Sequence, residues 1–260
     1  MPDRIARLEQ SAPELVETAE VARNTLSNVG LENHQAQVAL CIDISGTMHS
    51  LFASGRIQAF AEKILVMGNY FDQDAAIDIF LFGDEAYYAG EMNVNNFKGF
   101  LQEAWRKYIT VYGTYYGKAM KKIRQFYMPN NKGEKVESVG EAAEGSIYVM
   151  FITDGFTADE QETVEQMVWS SYEPIFWQFM AIGKSKDDFG GGFWDWVNKS
   201  FAQDFSFLKK LDDLQNRLID NANFFNVQKE LLIEDADLYQ KMMVEYPLWL
   251  KEAKAKGILK

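Results

Sequence analysis

The sequence predicts an α/β fold: a doubly wound, mainly parallel central sheet with helices on both faces and one short antiparallel edge strand. Three observations carry that prediction. Short apolar runs of strand length alternate along the chain with segments of helical periodicity, the pattern of repeated βα units. The strand candidates are nearly continuous apolar runs, as strands covered on both faces must be. The 260 residues are 47% apolar and 25% charged, enough for one large core, and no Pro/Ser linker or composition break divides them.

Residues 1–29 read as an N-terminal helical extension packed on a domain spanning 30–260. In the extension, Leu15, Val16, Ala19, Ala22 and Leu26 recur at helical spacing over 11–28, with Ser11 and Glu14 placed for a capping box and Pro13 for the first turn. Gly30 opens a turn, and a strand over 37–43 follows. Ile57, Phe60, Ala61, Ile64 and Leu65 put a helix over 54–70. Ile77–Phe82 is a second strand, and 87–92 fits the short edge strand. Residues 94–108 and 115–127 are amphipathic, while 129–145 is polar and Gly-containing and reads as an exposed loop. Ser146–Ile152 is another apolar strand. Thr157 and Glu160 are spaced as a capping box for a helix over 158–171. A strand over 174–182, a loop or insertion over 184–203, a helix over 205–217, a strand over 222–227 and a terminal helix over 235–254 complete the chain.

The formal charge of −12 repels phosphate backbones and anionic lipid, so nucleic acid and membrane surface are poor partners. The one cysteine, Cys41, excludes an intramolecular disulfide framework, and its apolar strand makes it a core thiol. The start, Met-Pro-Asp-Arg-Ile-Ala-Arg, is unlike a signal peptide, and no run reaches the 18 apolar residues of a membrane span. The expected compartment is the cytoplasm.

In open α/β sheets ligands bind beyond the carboxyl ends of the strands. The first strand ends in Asp43-Ile-Ser45-Gly-Thr47, a carboxylate followed by hydroxyls at every second position. Alone, that pattern also fits a carboxylate and hydroxyl capping the next helix. Two further segments change the reading. The strand over 146–152 runs into Thr153-Asp154-Gly155, a second carboxylate at the same edge, and Tyr112-Gly113-Thr114 places a hydroxyl on a loop just before a helix. Such an oxygen-only set suits Mg²⁺, with Mn²⁺ or Ca²⁺ also possible. Two carboxylates about neutralise a divalent ion, leaving it able to accept a further carboxylate.

In order and spacing, with Thr114 about 70 residues after Asp43 and Asp154 about 40 residues after Thr114, these segments resemble the metal-ion-dependent adhesion site of von Willebrand factor A (vWA) domains. The resemblance runs from residue 30 onward. Pro174-Ile-Phe-Trp-Gln-Phe-Met, Phe207-Leu-Lys-Lys-Leu-Asp-Asp, Asp220-Asn-Ala-Asn-Phe-Phe and Tyr246-Pro-Leu-Trp-Leu are similar to the bacterial tellurium-resistance and general-stress branch, TerF-like. The resemblance implies that Ser45 and Thr47 bind the metal through their hydroxyls and that Thr114 is a third hydroxyl ligand. It implies that Asp43 and Asp154 bind directly or through water. Thr47 stands where Ser is commoner and Tyr112 where many members have Gly. The implied partner is a protein donating an Asp or Glu carboxylate, in tellurite, toxic-anion or stress resistance. His49, Tyr112, Tyr115 and Phe156 flank the ligands as a possible partner-binding rim, with Tyr116 assigned to the core by its spacing.

Other motifs carry less. Gly183-Lys-Ser lacks the Gly that a phosphate-binding loop needs five positions earlier, where Gln178 stands. Asp72-Gln-Asp74 and Asp235-Ala-Asp237 lack the Gly and Glu of a calcium loop. Two histidines and one core cysteine make no zinc site, and Ser45 has no nucleophile elbow. The expected role is therefore an interaction module and not an enzyme. The rival is a metal-dependent hydrolase acting on a phosphoester, for which neither a general base nor a basic cluster is evident near these loops.

Overall fold

The structure is a computed structural model describing residues 2–72, 74–108, 113–183, 205–227, 231 and 233–260. The sequence readings at Tyr112, at Lys184-Ser185 and over the 184–203 insertion lie outside the described residues.

Six strands form one sheet: β1 (Ala36–Asp43), β2 (Ala76–Phe82), β3 (Ala86–Asn93), β4 (Ser146–Thr153), β5 (Ile175–Ile182) and β6 (Ala222–Val227), in the order β3-β2-β1-β4-β5-β6. All neighbours pair in parallel except β2 and β3, which are antiparallel with a bulge between Ile79 and Phe80. β4 and β5 are buried at every position and β1 at every position but Gln37, which is why these strands read as continuous apolar runs. The polar exception inside β5 is satisfied: Gln178 exchanges hydrogen bonds with Asn223 at 3.1 Å and accepts from the Tyr148 hydroxyl at 3.2 Å.

Alternate strand residues feed two cores. Val38, Leu40, Ile42, Ile79, Leu81, Met150 and Ile152 face a layer built from α1 (Pro2–Ser11), α2 (Val16–Asn28), α3 (His49–Ala53), α4 (Arg56–Phe71), α5 (Phe100–Lys107), α9 (Asp235–Met242) and α10 (Tyr246–Ala255). Ala39, Cys41, Phe80, Phe82, Val149, Phe151 and Phe179 face the other layer, made by α6 (Tyr116–Tyr127), α7 (Glu160–Ser170) and α8 (Ser206–Asp212). β1 is central, and the chain leaves it toward β2 and later returns to its other side as β4. That reversal of winding puts the crevice of the fold at the carboxyl ends of β1 and β4.

Several helix boundaries differ from the sequence reading, each for a local reason. Ser11 ends α1 instead of capping α2. Buried Ala12 and a 3₁₀ turn over Pro13–Leu15 separate the two helices, because a proline disfavours helical backbone at the residue before it. Glu14 pairs with Lys98 at 2.8 Å. The terminal helix is two, α9 and α10, because Pro247 is accommodated in the first turn of α10 and not in a helix interior. Over 94–108 only Phe100–Lys107 is helical, starting after Gly99 at φ +75°.

The 129–145 stretch is anchored at both ends. Arg124 on α6, fully buried, donates to Gly133 O at 3.1 Å and Glu134 O at 2.8 Å. Ala143 exchanges backbone hydrogen bonds with Ile258 and Lys260 at 2.9 and 3.0 Å. α6 and α7 approach very closely at Gly117, where an added Cβ would lie 2.7 Å from Glu162 Cγ and 2.8 Å from the Thr163 amide nitrogen.

Candidate metal centre

β1 stops at Asp43, and the chain turns at once through a 3₁₀ turn over Gly46–Met48. Asp43 Oδ1 accepts the Ser45 amide N–H at 2.8 Å, closing an Asx-type turn that fixes the carboxylate at the strand end. Neither the 3₁₀ turn nor α3 receives a side-chain cap, so helix capping is not what Asp43 and Ser45 do. Ile42 lies beside Ile152 in register, so the next residues, Asp43 and Thr153, are neighbours across the β1–β4 crevice. The Thr153 hydroxyl donates to Asp43 Oδ2 at 2.9 Å, giving each carboxylate oxygen a protein donor.

The exposed side of the crevice is lined with oxygen. Ser45 Oγ lies 3.1 Å from Thr47 Oγ1, and Thr47 Oγ1 donates to Asp154 Oδ1 at 2.9 Å. Asp43 is 1% exposed and Asp154 8%, whereas Ser45 and Thr47 reach solvent, so the carboxylates form the floor and the hydroxyls the mouth. Burial pushes the Asp43 carboxyl up to about 6. Hydrogen bonds from Ser45 pull the other way, the Asp154 charge adds to the rise, and Thr153 offsets part of it.

Thr114 arrives on the loop before α6, which is zipped to the loop after β4. Thr114 O accepts the Ala158 amide at 2.8 Å, and the Thr157 hydroxyl lies 3.2 Å from the same oxygen. Thr157 Oγ1 accepts the Tyr116 N–H at 3.0 Å and Asp159 Oδ2 accepts the Lys118 N–H at 3.1 Å, which satisfies two first-turn amides of α6. Thr157 therefore caps α6, its neighbour in space, and the Thr157/Glu160 capping box for α7 does not form. Asp159 is the residue that precedes α7. The Thr114 hydroxyl makes no hydrogen bond among the described residues.

The flanking residues separate into two groups. Phe156 is 74% exposed, one position beyond Gly155. Tyr115 is half-buried under Lys118 Nζ, 4.6 Å above its ring, and Lys118 also pairs with Glu85 at 2.8 Å. His49 instead turns inward, its ring edge-on to Trp105 at 5.3 Å and its Nε2 buried without a hydrogen-bond partner. Missed in the sequence were Thr153 and Tyr116, both completely buried and both joined to Asp43 through one hydrogen-bond chain. Only the adjacency of Thr153 to Asp154 hinted at the first.

The residues present fit a small hard cation. Oxygen spacings of 2.9 and 3.1 Å are those of hydrogen bonds, and equally of adjacent oxygens around an ion with ligands at about 2.1 Å. Among the described residues no group of three or more His, Cys, Asp or Glu could hold a metal, so a cation bound here would need hydroxyl oxygens as well as the two carboxylates. Also among the described residues, no helix is long and apolar enough to cross a membrane.

Comparison with known proteins agrees with this architecture. The chain is 28% identical over 230 residues to the uncharacterized protein YcbR of Bacillus subtilis (strain 168), covering 86% of this chain and 82% of that protein. Among solved structures it is similar to proximal thread matrix protein 1 from the mussel byssus, at a TM-score of 0.52 and 13% identity. That likeness covers 81% of this chain and 48% of the other, so the chain spans about half the length of that structure and shares its fold. Manganese-loaded Plasmodium vivax TRAP protein aligns at a TM-score of 0.49 and 12% identity, over 80% of this chain and 74% of that one. A family model matches residues 35–259, from the first residues before β1 almost to the chain end. The chain therefore belongs to the vWA-TerF-like family, the vWA found in the TerF C terminus.

Proposed function

We propose that the protein is a divalent-cation-dependent interaction module that engages a protein partner through an Asp or Glu carboxylate, and that it is not an enzyme. The observation that carries this reading is the contiguous run Ser45 Oγ, Thr47 Oγ1, Asp154 Oδ1, with spacings of 3.1 and 2.9 Å, above the buried Asp43. Ser45, Thr47 and Thr114 offer hydroxyl oxygens, and Asp43 and Asp154 offer carboxylates. A cation bound there, Mg²⁺ in the first instance, supplies an electrophilic centre for an incoming carboxylate. The chain's own residues do the rest. Thr153 and the Ser45 amide hold Asp43 in place, and the Thr157–Asp159 loop holds the α6 terminus that brings Thr114 to the edge. A role in tellurium resistance is supported by the family name alone, and the wider one in toxic-anion or general stress resistance by the sequence resemblance alone.

Melting in the presence of Mg²⁺ or Mn²⁺ tests the cation site. At a hundredfold excess over the dissociation constant, folding gains about 2.7 kcal/mol. The gain should vanish in Asp43→Ala and shrink in Thr47→Ala. No gain with either ion in the unaltered protein would refute the reading. Capture of partners with Mg²⁺ or with chelator then tests the interaction: a captured set indifferent to chelator and to Thr114→Ala would overturn it. Turnover of a generic phosphoester would replace it with a hydrolase.

A further inference from the structure

Tyr116 sits on the first turn of α6 in positions that read as core, and its ring behaves as core. It is fully buried, edge-on to Phe82 at 5.9 Å and to Phe151 at 5.3 Å. A phenylalanine would satisfy those contacts equally. The phenol goes further than packing requires. Its oxygen lies 2.8 Å from Thr153 Oγ1 and also donates to the Gly155 carbonyl, on either side of Asp154 in the chain. Thr153 Oγ1 in turn donates to Asp43 Oδ2 at 2.9 Å and receives the Gly155 N–H at 3.3 Å.

Counting protons orders this network. An ionised Asp43 can only accept, so the single Thr153 hydroxyl proton goes to it. The Thr153 oxygen is then an acceptor, and its donors are the Gly155 amide and Tyr116. The phenol proton lies between Thr153 Oγ1 and the Gly155 carbonyl, and both interactions orient groups that flank Asp154. One side chain thus touches the partner of the first carboxylate and the backbone beside the second, while its own backbone N–H anchors the Thr114 loop to Thr157.

We propose that Tyr116 is a positioning residue for the cation site: its hydroxyl aims Thr153 at Asp43 and holds the Gly155 carbonyl, on the residue after Asp154, so that both carboxylates are set before a cation arrives. This rests on the cation-binding reading above. Outer partners of this kind typically change metal affinity 10- to 100-fold when removed.

The test titrates Mn²⁺ alone into the full chain by calorimetry, with a parallel melt in EDTA. Tyr116→Phe keeps the ring contacts, and its Mn²⁺ dissociation constant should rise about tenfold or more. Thr153→Val should weaken Mn²⁺ binding similarly and Thr153→Ser should restore it. The double variant Tyr116→Phe/Thr153→Val should weaken Mn²⁺ binding by less than the two singles combined, because the Thr153 arm of the network is lost only once. A purely structural hydroxyl would lower the melting point in EDTA and leave the Mn²⁺ constant unmoved. A Tyr116→Phe constant within twofold of the unaltered protein overturns the proposal, as does additivity in the double variant. Absence of Mn²⁺ and Mg²⁺ binding in the unaltered protein overturns the cation reading itself, a distinct result. Should Tyr116→Phe fail to fold, the Thr153→Val and Thr153→Ser pair decides.

Discussion

Replacing Arg124 with Met is the sharpest test of what holds the layer beneath the site together. Arg124 is 0% exposed and its guanidinium has five N–H donors, each with an acceptor. Nε and Nη2 form a fork on Glu173 at 2.7 and 2.9 Å, Nη1 reaches Gln166 Oε1 at 2.6 Å and Gly133 O at 3.1 Å, and Nη2 reaches Glu134 O at 2.8 Å. Glu173 is 2% exposed and, among the described residues, retains only the Asn131 amide, at 2.9 Å, once Arg124 is gone. An uncompensated buried carboxylate of this kind costs about 3–5 kcal/mol. With a urea dependence of about 3 kcal/mol/M, the upper end for small proteins, the unfolding midpoint should fall by about 1 M or more. The assay is urea unfolding at pH 7.5 in EDTA, which removes any linkage to metal. Removing both charges, as Arg124→Met/Glu173→Leu, should cost less than Arg124→Met alone, since no unpaired charge is left inside. A single-variant loss under about 1 kcal/mol would refute the reasoning, and so would a double variant as unstable as the sum of its singles. Arg124 lies eight residues, about 12 Å of helix, beyond Tyr116. The folded single variant should therefore bind Mn²⁺ within about threefold of the unaltered protein.

Three further outcomes follow from named contacts. His34 is held down to about 4, first by burial and then by the Lys254 charge, and its Nε2 sits 2.7 Å from the Tyr246 hydroxyl. Unfolded, it titrates near 6.5, so the unfolded chain binds more protons between the two values and stability falls as pH drops from about 6.5 to 4. Between pH 7.5 and 4.5 His34 accounts for a loss of about 2.5 kcal/mol. Urea titrations should find it as the difference in pH dependence between the unaltered protein and His34→Gln, because Asp43 and Asp212, raised by burial to about 6 and about 7, gain stability over the same range. Thr157→Val removes the acceptor of the Tyr116 N–H and should cost about 1–2 kcal/mol in the same assay, with α6 fraying first in amide exchange. Gly117→Ala gains about 1 kcal/mol of helix propensity, yet its Cβ would lie 2.8 Å from the Thr163 backbone. Overpacking should win, with a net loss of about 1 kcal/mol by thermal melting, and a gain would show that α7 yields freely.

The layout of strands was readable because parallel strands covered on both faces leave continuous apolar runs, as Ile147–Ile152 and Ile175–Ile182 do. The sharing of one edge by Asp43, Ser45, Thr47 and Asp154 was readable for a related reason: each apolar run stops at a polar residue where the sheet stops. What escaped is what depends on partners distant in sequence. Thr157 looked like a cap for the helix that follows it, but its oxygen serves Tyr116, 41 residues earlier. Arg124, on the amphipathic 115–127 segment, carries no sequence signal of Glu173, 49 residues on, with which the fold buries it. Tyr116 kept helical spacing and so read as packing, since periodicity reports which face a ring occupies and not what its hydroxyl touches. The break between α1 and α2 was signalled by Pro13, which fits a first turn and a helix boundary equally well.

The capping of α6 by residues 157–159 has a consequence for how the molecule is made. The first-turn amides of α6 find their acceptors about 40 residues downstream, beyond β4. During synthesis α6 therefore starts from its middle, and its leading turn waits until β4 has paired with β1 and carried Thr157 and Asp159 into place. Thr114 takes up its position in that same late step. A chain halted before residue 146 has hydroxyls and a carboxylate at the end of β1 but lacks β4, and so has neither Thr153 nor Asp154 to set opposite them. The proposed cation site would thus be assembled only once β4 has joined β1, and a shorter chain would lack it.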